Sequence, residues 1–580
     1  MAGSLKSPGY RLPVNPEQKK GTIAHGFVTP KQDKIPQVHS VPPRRVLPIV
    51  FVPGIMGSNL RVSSERQAKL NLENNISWRP DNSSVTVGQY NDKPYERQLR
   101  LDPGATEVDS YDPVANPTGA SDESSDRRNK NIIYSGGYRG WGRSEGPLLQ
   151  SDPVGTKNGR THNQKARERG WGEVYYGSYE QILTICESKL NSAFTDGIMD
   201  LYLKRNIEGV PPSKWNAHPQ PLLTPLDEKT MRDAVKGCWF PVHAMGYNWL
   251  RSNAESGVVL AGRITELIEK YQDDGYECEK VILITHSMGG LVARSIIHPE
   301  MGKIPEKILG IIHGVMPAIG AGAAYKRMRC GVEGSYSGVS SEITAGVLGD
   351  NSADVTAVLA NAQGALELLP NQFYGNHWLE LKRDGVIIKS WPEKCPYEEI
   401  YKVRGKWFSL LREQWINPAG VKDGGILRTS KLLDDAKKFH EKINDTYHSQ
   451  SYAHYGADMN RRAWYKVVWE IDGKGSLDEP ESLRTISDTR KGSLQVIEQS
   501  SKAGGALKFP CGVNMLGAAE PGDETVPLHS ADAQLRSGKF KGIFRQVGYE
   551  HQASYSDSIV LASTIYALFK IISTMEWSKP

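Results

Sequence analysis

Ser287 stands at the junction of two contrasting stretches. Val281-Ile282-Leu283-Ile284-Thr285-His286 precede it, and Met288-Gly289-Gly290-Leu291-Val292-Ala293-Arg294 follow. A serine hydroxyl is a poor nucleophile unless it is held out for attack and supplied with a base. A sharp strand-to-helix turn does the holding, and it needs small neighbours because strand and helix pack closely there. Gly289 meets that need two positions after the serine, while Thr285 fills the place two before it where glycine is commoner. A helix beginning at the turn also aims its positive dipole end at a developing oxyanion. A serine that only capped a helix would need neither the apolar strand nor the paired glycines around this one.

Such a nucleophile requires an acid and a histidine, in the chain order Ser, Asp, His for this kind of turn. Glu520-Pro521-Gly522-Asp523-Glu524-Thr525-Val526-Pro527 reads as a tight turn presenting Asp523, and Gly548-Tyr549-Glu550-His551-Gln552 follows it downstream. The interval from Asp523 to His551 suits one further strand and its loops. His551 would take the Ser287 proton and later return it, with Asp523 holding the imidazole tautomer. Among the other histidines, His529 lies so near Asp523 that it belongs to the same loop. His286 is expected to point into the packing of the turn, and His298 and His313 precede the acid.

Acyl transfer passes through a tetrahedral oxyanion that needs backbone N–H donors already in place. One is expected from Met288, directly after the nucleophile. The other is expected from Pro53-Gly54-Ile55-Met56-Gly57-Ser58, the loop after an early strand, with Ile55 as the donor and Met56 as the fallback. An ordinary Pro-Gly turn is the plainer reading of that loop, and it loses ground once Ser287 is accepted.

These residues need a scaffold. Val46-Leu47-Pro48-Ile49-Val50-Phe51-Val52, stopped by Pro53-Gly54, reads as a buried strand. Cys238 to Val242 reads as another. Ser252 or Asn253 can cap a helix whose apolar face is Leu260, Ile264, Leu267, Ile268 and Tyr271. The strand before Ser287, a helix through Ile297, a strand at Ile308 to Ile312, a strand at Phe540 to Val547 and a helix at Ser554 to Ile572 continue the alternation. That rhythm predicts an α/β fold with a mostly parallel central sheet covered by helices.

The expected organisation is an irregular lead-in over 1–45 and a discontinuous core at 46–61, 231–317 and 501–580. A loop-rich insertion fills 62–230 and a cap or lid fills 318–500. Arg139-Gly140-Trp141-Gly142 recurs as Arg169-Gly170-Trp171-Gly172, but two copies make no repeat architecture. Helical spacing appears at Ile182, Ile185, Cys186 and Leu190. In the cap, Val355, Val358, Leu359, Ala362, Leu366 and Leu369 share one helical face. Two roles suit that face: a lid meeting acyl chains, or a plain insertion packed on the core.

The 580-residue chain exceeds what one hydrophobic core sustains. Its net charge of +5, from 71 basic and 66 acidic residues, gives no reason to expect nucleic-acid binding. Six scattered cysteines form no CxxC or CxH pairing, so neither a zinc site nor a disulfide framework is expected. The chemistry calls for no cofactor or metal. The amino-terminal stretch has no apolar secretory core, and the apolar run Ser558 to Ser573 is short for a bilayer and carries Lys570.

Val52-Pro53-Gly54-Ile55-Met56-Gly57-Ser58, Thr285-His286-Ser287-Met288-Gly289-Gly290, Gly522-Asp523-Glu524-Thr525-Val526-Pro527 and His551 together resemble the lecithin–cholesterol acyltransferase-like and inositol-deacylase-like branches of the α/β hydrolases. His313-Gly314-Val315-Met316-Pro317-Ala318, Ala324-Tyr325-Lys326-Arg327-Met328-Arg329 and the stretch from Gly364 to Gly375 resemble more narrowly the fourth Tle group of bacterial type VI secretion lipase effectors. The resemblance implies a phospholipase acting on membrane phospholipid through Ser287, Asp523 and His551. It also implies a cytoplasmic protein in the producer, delivered by a secretion-spike protein into the target periplasm and blocked by a cognate immunity protein. An acyltransferase or neutral-ester lipase would use the same triad. A silent lipid-binding module is the reading from another class, and the intact triad argues against it.

Overall fold

The computed structural model describes residues 43–578 except 73–74, 82–87, 111–164, 166–167, 196, 334–344, 474–476, 478 and 499–509, and it describes two short strands before them. Those strands, Ile23–Gly26 and Gln37–Ser40, pair antiparallel within the expected lead-in. The first Arg-Gly-Trp-Gly copy and much of the loop-rich insertion lie outside the described residues.

Six parallel strands form the central sheet: β1 (Ile49–Val52), β2 (Val242–Ala244), β3 (Val281–His286), β4 (Ile308–Gly314), β5 (Ser451–Gly456) and β6 (Phe540–Gln546). Their spatial order is β2-β1-β3-β4-β5-β6, and every neighbouring pair is parallel. Each of β1, β3 and β4 is buried along its whole length, which explains their continuous apolar sequences. Alternation along the strands divides the core. Val50, Val52, Val281 and Leu283 face one apolar cluster, whereas Ile49, Phe51, Ile282 and Ile284 face the other.

Helices cover both faces. The second cluster takes up α1 (Tyr176–Asn191), which contains the expected helical spacing, and the carboxyl-terminal helix (Ser558–Ile572). The first takes up α2 (Asn253–Asp273) and α3 (Gly289–Ile297). Ser252 caps α2, its hydroxyl accepting the Glu255 N–H at 3.0 Å. Pro241 splits the strand expected at Cys238 to Val242 into Cys238–Trp239 and Val242–Ala244.

One expectation needs correction. The stretch 318–500 is not wholly a cap, because β5 lies within it and supplies a central strand. The cap's own sheet in turn runs past residue 500. Its strands lie in the order Val386–Trp391, Leu379–Arg383, Val467–Ile471, Cys511–Met515, Ser493–Ile497 and Arg484–Asp488. The Val355–Leu369 face is turned inward in this conformation. Val355, Val358, Ala362, Leu366 and Leu369 are fully buried in the cluster that holds Leu291 and Val292.

Arg294 on α3 ties core to insertion. It is 2% exposed, and its guanidinium donates to the carbonyls of Thr446 at 3.1 Å, Asn444 at 3.1 Å and Ile443. Those carbonyls end the helix Ile426–Ile443, where a cation complements the dipole.

Candidate active site

The chain leaves β3 through Ser287, whose φ of 53° is the left-handed conformation of a tight turn, and enters α3. The Ser287 N–H donates to Gly314 O at 2.8 Å, so the end of β4 holds the bend. A side chain at Gly289 would lie 2.4 Å from Pro53 O and 2.5 Å from Val52 O. One at Gly54 would lie 2.9 Å from Ser287 Cβ. These contacts give the physical reason for the glycines: helix and the loop after β1 approach the serine at backbone distance. Thr285 is accommodated instead of glycine, fully buried on β3.

His551 follows β6 and reaches back to the turn. Its Nε2 lies 2.8 Å from Ser287 Oγ, and its Nδ1 lies 2.9 Å from Asp523 Oδ2. Asp523 is clamped from three sides. Its Oδ1 accepts N–H groups from Val526 at 2.7 Å and Thr525 at 3.1 Å, and its own carbonyl accepts the His551 N–H at 2.9 Å. The carboxylate can only accept, so Nδ1 carries a proton and Nε2 presents its lone pair to the serine hydroxyl. The arrangement can deprotonate Ser287 and stabilise the resulting imidazolium. The structure thus brings together all three residues singled out in the sequence, from loops as far as 264 positions apart.

The loop after β1 is pinned beside the serine. Gly57 N–H donates to Gly54 O at 3.0 Å, and Trp78 Nε1 donates to Met56 O at 2.6 Å, with Met56 at φ 59°. Among the described residues, the N–H groups of Ile55, Met56 and Met288 donate to no protein acceptor.

The other histidines lie elsewhere. His529 Nε2 bonds Tyr374 O at 2.7 Å, and His313 is buried against Tyr447 and Phe540. His286 does turn into the packing, where it meets Tyr179 and the His551 carbonyl. Sequence reasoning missed Tyr179, Trp78 and Tyr555, whose hydroxyl donates to Thr285 O at 2.9 Å. Nothing in their local sequence marks them, because each acts across more than 20 residues of chain.

Ser287 is 4% exposed, His551 7% and Asp523 1%, so the site is enclosed. Helix Gln363–Leu366 packs beside Met288, since a side chain at Gly364 would lie 3.5 Å from Met288 Cε. A cavity of about 270 Å3 beside β2, lined by Arg169, Glu173, His243, Arg263 and Lys270, contains none of the three residues. Among the described residues no cluster could hold a metal ion, and no helix is long and apolar enough to cross a membrane.

Residues 248–332, which contain β3, the turn, α3 and β4, match the PGAP1-like alpha/beta domain family. A search of curated proteins by sequence returns no match. The chain is similar to a solved structure described as the crystal structure of the Tle4-Tli4 complex. The match has a TM-score of 0.70 and 28% sequence identity, covering 92% of this chain and 99% of that one.

Proposed function

We propose that this chain, a Tle4-type α/β hydrolase of the lipase class, is a serine esterase that cleaves acyl esters of membrane glycerophospholipids. Ser287, His551 and Asp523 are its catalytic residues, and the N–H groups of Ile55 and Met288 are its oxyanion donors. The observation that carries the reading is the unbroken line of hydrogen bonds from Asp523 Oδ2 through the His551 ring to Ser287 Oγ.

In this reading His551 Nε2 takes the hydroxyl proton as Ser287 Oγ attacks the ester carbonyl, and the carbonyl oxygen becomes an oxyanion. Collapse expels the lysophospholipid alkoxide, which receives the proton from His551, and leaves an acyl-serine. Water then attacks the acyl group by the same proton transfers and releases a fatty acid. Asp523 stays ionised throughout, and its charge supports the imidazolium in both steps.

The chain acts as a type VI secretion effector of the lipase type. We further infer delivery into the periplasm of a target cell by a secretion-spike protein. The similar structure is a complex of two proteins, Tle4 and Tli4, and by that analogy a cognate immunity protein would inhibit this enzyme in the producer. Incubation with a fluorophosphonate and a p-nitrophenyl ester tests the chemistry. Wild type should label at Ser287 and turn over, Ser287→Ala should do neither, and mass spectrometry on a mixed phospholipid extract should find lysophospholipid and fatty acid. A wild-type protein that neither labels nor turns over in a range of detergents would sink the proposal.

A further inference from the structure

His286 takes no part in the chemistry above, yet it adjoins Ser287 and contacts His551. It precedes Ser287 at the end of β3, is 1% exposed, and has both ring nitrogens engaged. Nε2 lies 3.0 Å from the backbone carbonyl of His551, and Nδ1 lies 3.1 Å from the Tyr179 hydroxyl. A carbonyl only accepts, so Nε2 carries the proton, Nδ1 is an acceptor, and the Tyr179 hydroxyl must donate to it. The tyrosine oxygen is then free to accept, and two donors reach it: Gly54 N–H at 3.4 Å and Gln552 Nε2 at 3.4 Å.

We propose that Tyr179 and His286 form a positioning relay that sets the oxyanion loop, the nucleophile turn and the loop carrying His551 relative to one another. Gly54 belongs to the first, His286 to the second, and His551 with Gln552 to the third. Two side chains and one defined tautomer join all three, so none can shift alone without breaking a buried hydrogen bond. Burial keeps the relay in one protonation state, holding His286 down to about 3 and Tyr179 up to about 12. The bland alternative is that the pair only fills the core. Tyr179 does pack against Phe51, with ring centroids 4.7 Å apart, and phenylalanine would fill that space equally well. Space filling requires no hydroxyl and no tautomer.

The relay rests on the triad reading, and its test separates the two. Tyr179→Phe removes one oxygen and keeps the ring. Its kcat on the p-nitrophenyl ester should fall about 10- to 100-fold, the scale of a small misplacement of reacting groups, with KM within about twofold. At position 286, glutamine keeps an amide donor near the Nε2 position and leucine keeps only bulk. His286→Gln should retain most of the turnover that His286→Leu loses. In 15N spectra of histidine-labelled protein, His286 should be the Nε2–H tautomer in wild type and in Tyr179→Phe, with its Nδ1 resonance shifted in the variant by loss of the hydroxyl that donates to it.

Wild-type kcat in Tyr179→Phe overturns the relay, as does equal loss in the Gln and Leu variants. If the position 286 variants do not fold, Tyr179→Phe decides alone. Wild-type protein that labels at Ser287, with variants labelling at the same rate, defeats only the relay. Wild type that never labels defeats the triad reading instead.

Discussion

At Asp523 one carboxylate oxygen is committed to two backbone N–H groups and the other to His551 Nδ1. This division makes the residue sensitive to a change of a single atom. In Asp523→Asn the amide oxygen stays with the N–H donors and the NH2 turns to His551 Nδ1, which must then accept. The proton moves to Nε2, facing the serine hydroxyl that it should deprotonate. The expected result is a loss of about 10^4 in kcat with little change in fold. Steady-state kinetics and circular dichroism on the pure variant check it, and a loss under tenfold would show that Asp523 does not set the tautomer. Thr285, by contrast, shows that glycine two positions before the nucleophile is not obligatory, since a buried strand residue fits there.

At the scale of elements, the turn between β3 and α3 works because three backbones converge. Gly289 and Gly54 both face that convergence but differ in what would have to move. A Cβ at Gly289 meets two carbonyl oxygens of the chain leaving β1, so relief requires prising helix from strand. Gly289→Ala should therefore cost stability, about 1–3 kcal/mol as overpacking or more, read from urea unfolding. A Cβ at Gly54 meets His286 Nδ1 at 2.8 Å and Ser287 Cβ at 2.9 Å, and the loop can relieve this by retreating from the serine. Gly54→Ala should lower kcat about 100-fold through the misplaced oxyanion donor while losing less stability than Gly289→Ala. The reverse ranking in the two assays would refute this assignment. Strain gathers at the same place: Val315, a β-branched residue directly after β4, sits at φ 45° with its N–H on His454 O.

For the whole molecule the decisive contact is between cap and core. Glu367 is buried in the cap, accepting Asn253 N–H at 2.9 Å, Asn253 Nδ2 at 2.7 Å and Gln363 Nε2 at 3.0 Å, which seats it on the first residue of α2. Burial pushes its carboxyl from 4.5 to about 7, against the opposing pull of those donors. The folded chain thus holds this proton more tightly than the unfolded chain does. Its contribution to stability should be full below about 4.5, fall as pH rises to about 7, and stay level above. Glu367→Gln removes that dependence and keeps the Asn253 bonds. The difference in urea midpoint between wild type and variant, measured from pH 4.5 to 7.5, should change steadily in favour of the variant. A constant difference would show that the cap–core joint does not titrate there.

Strands buried on both faces must be apolar throughout, so Ile49 to Val52, Val281 to Ile284 and Ile308 to Ile312 were readable from composition and punctuation alone. The serine turn, the turn presenting Asp523 and the apolar face from Val355 to Leu369 were readable for similar reasons, because each is a local pattern. β5 was not, since Ser451-Tyr452-Ala453-His454-Tyr455-Gly456 lacks an apolar signature, and only its neighbours β4 and β6 make it a central strand. What covers the Val355 face, and which tyrosine meets His286 from 107 residues away, were likewise settled by packing. Local backbone preference and side-chain periodicity are written along the chain. Which distant surfaces close on each other depends on the mutual fit of all of them, and no short stretch encodes it.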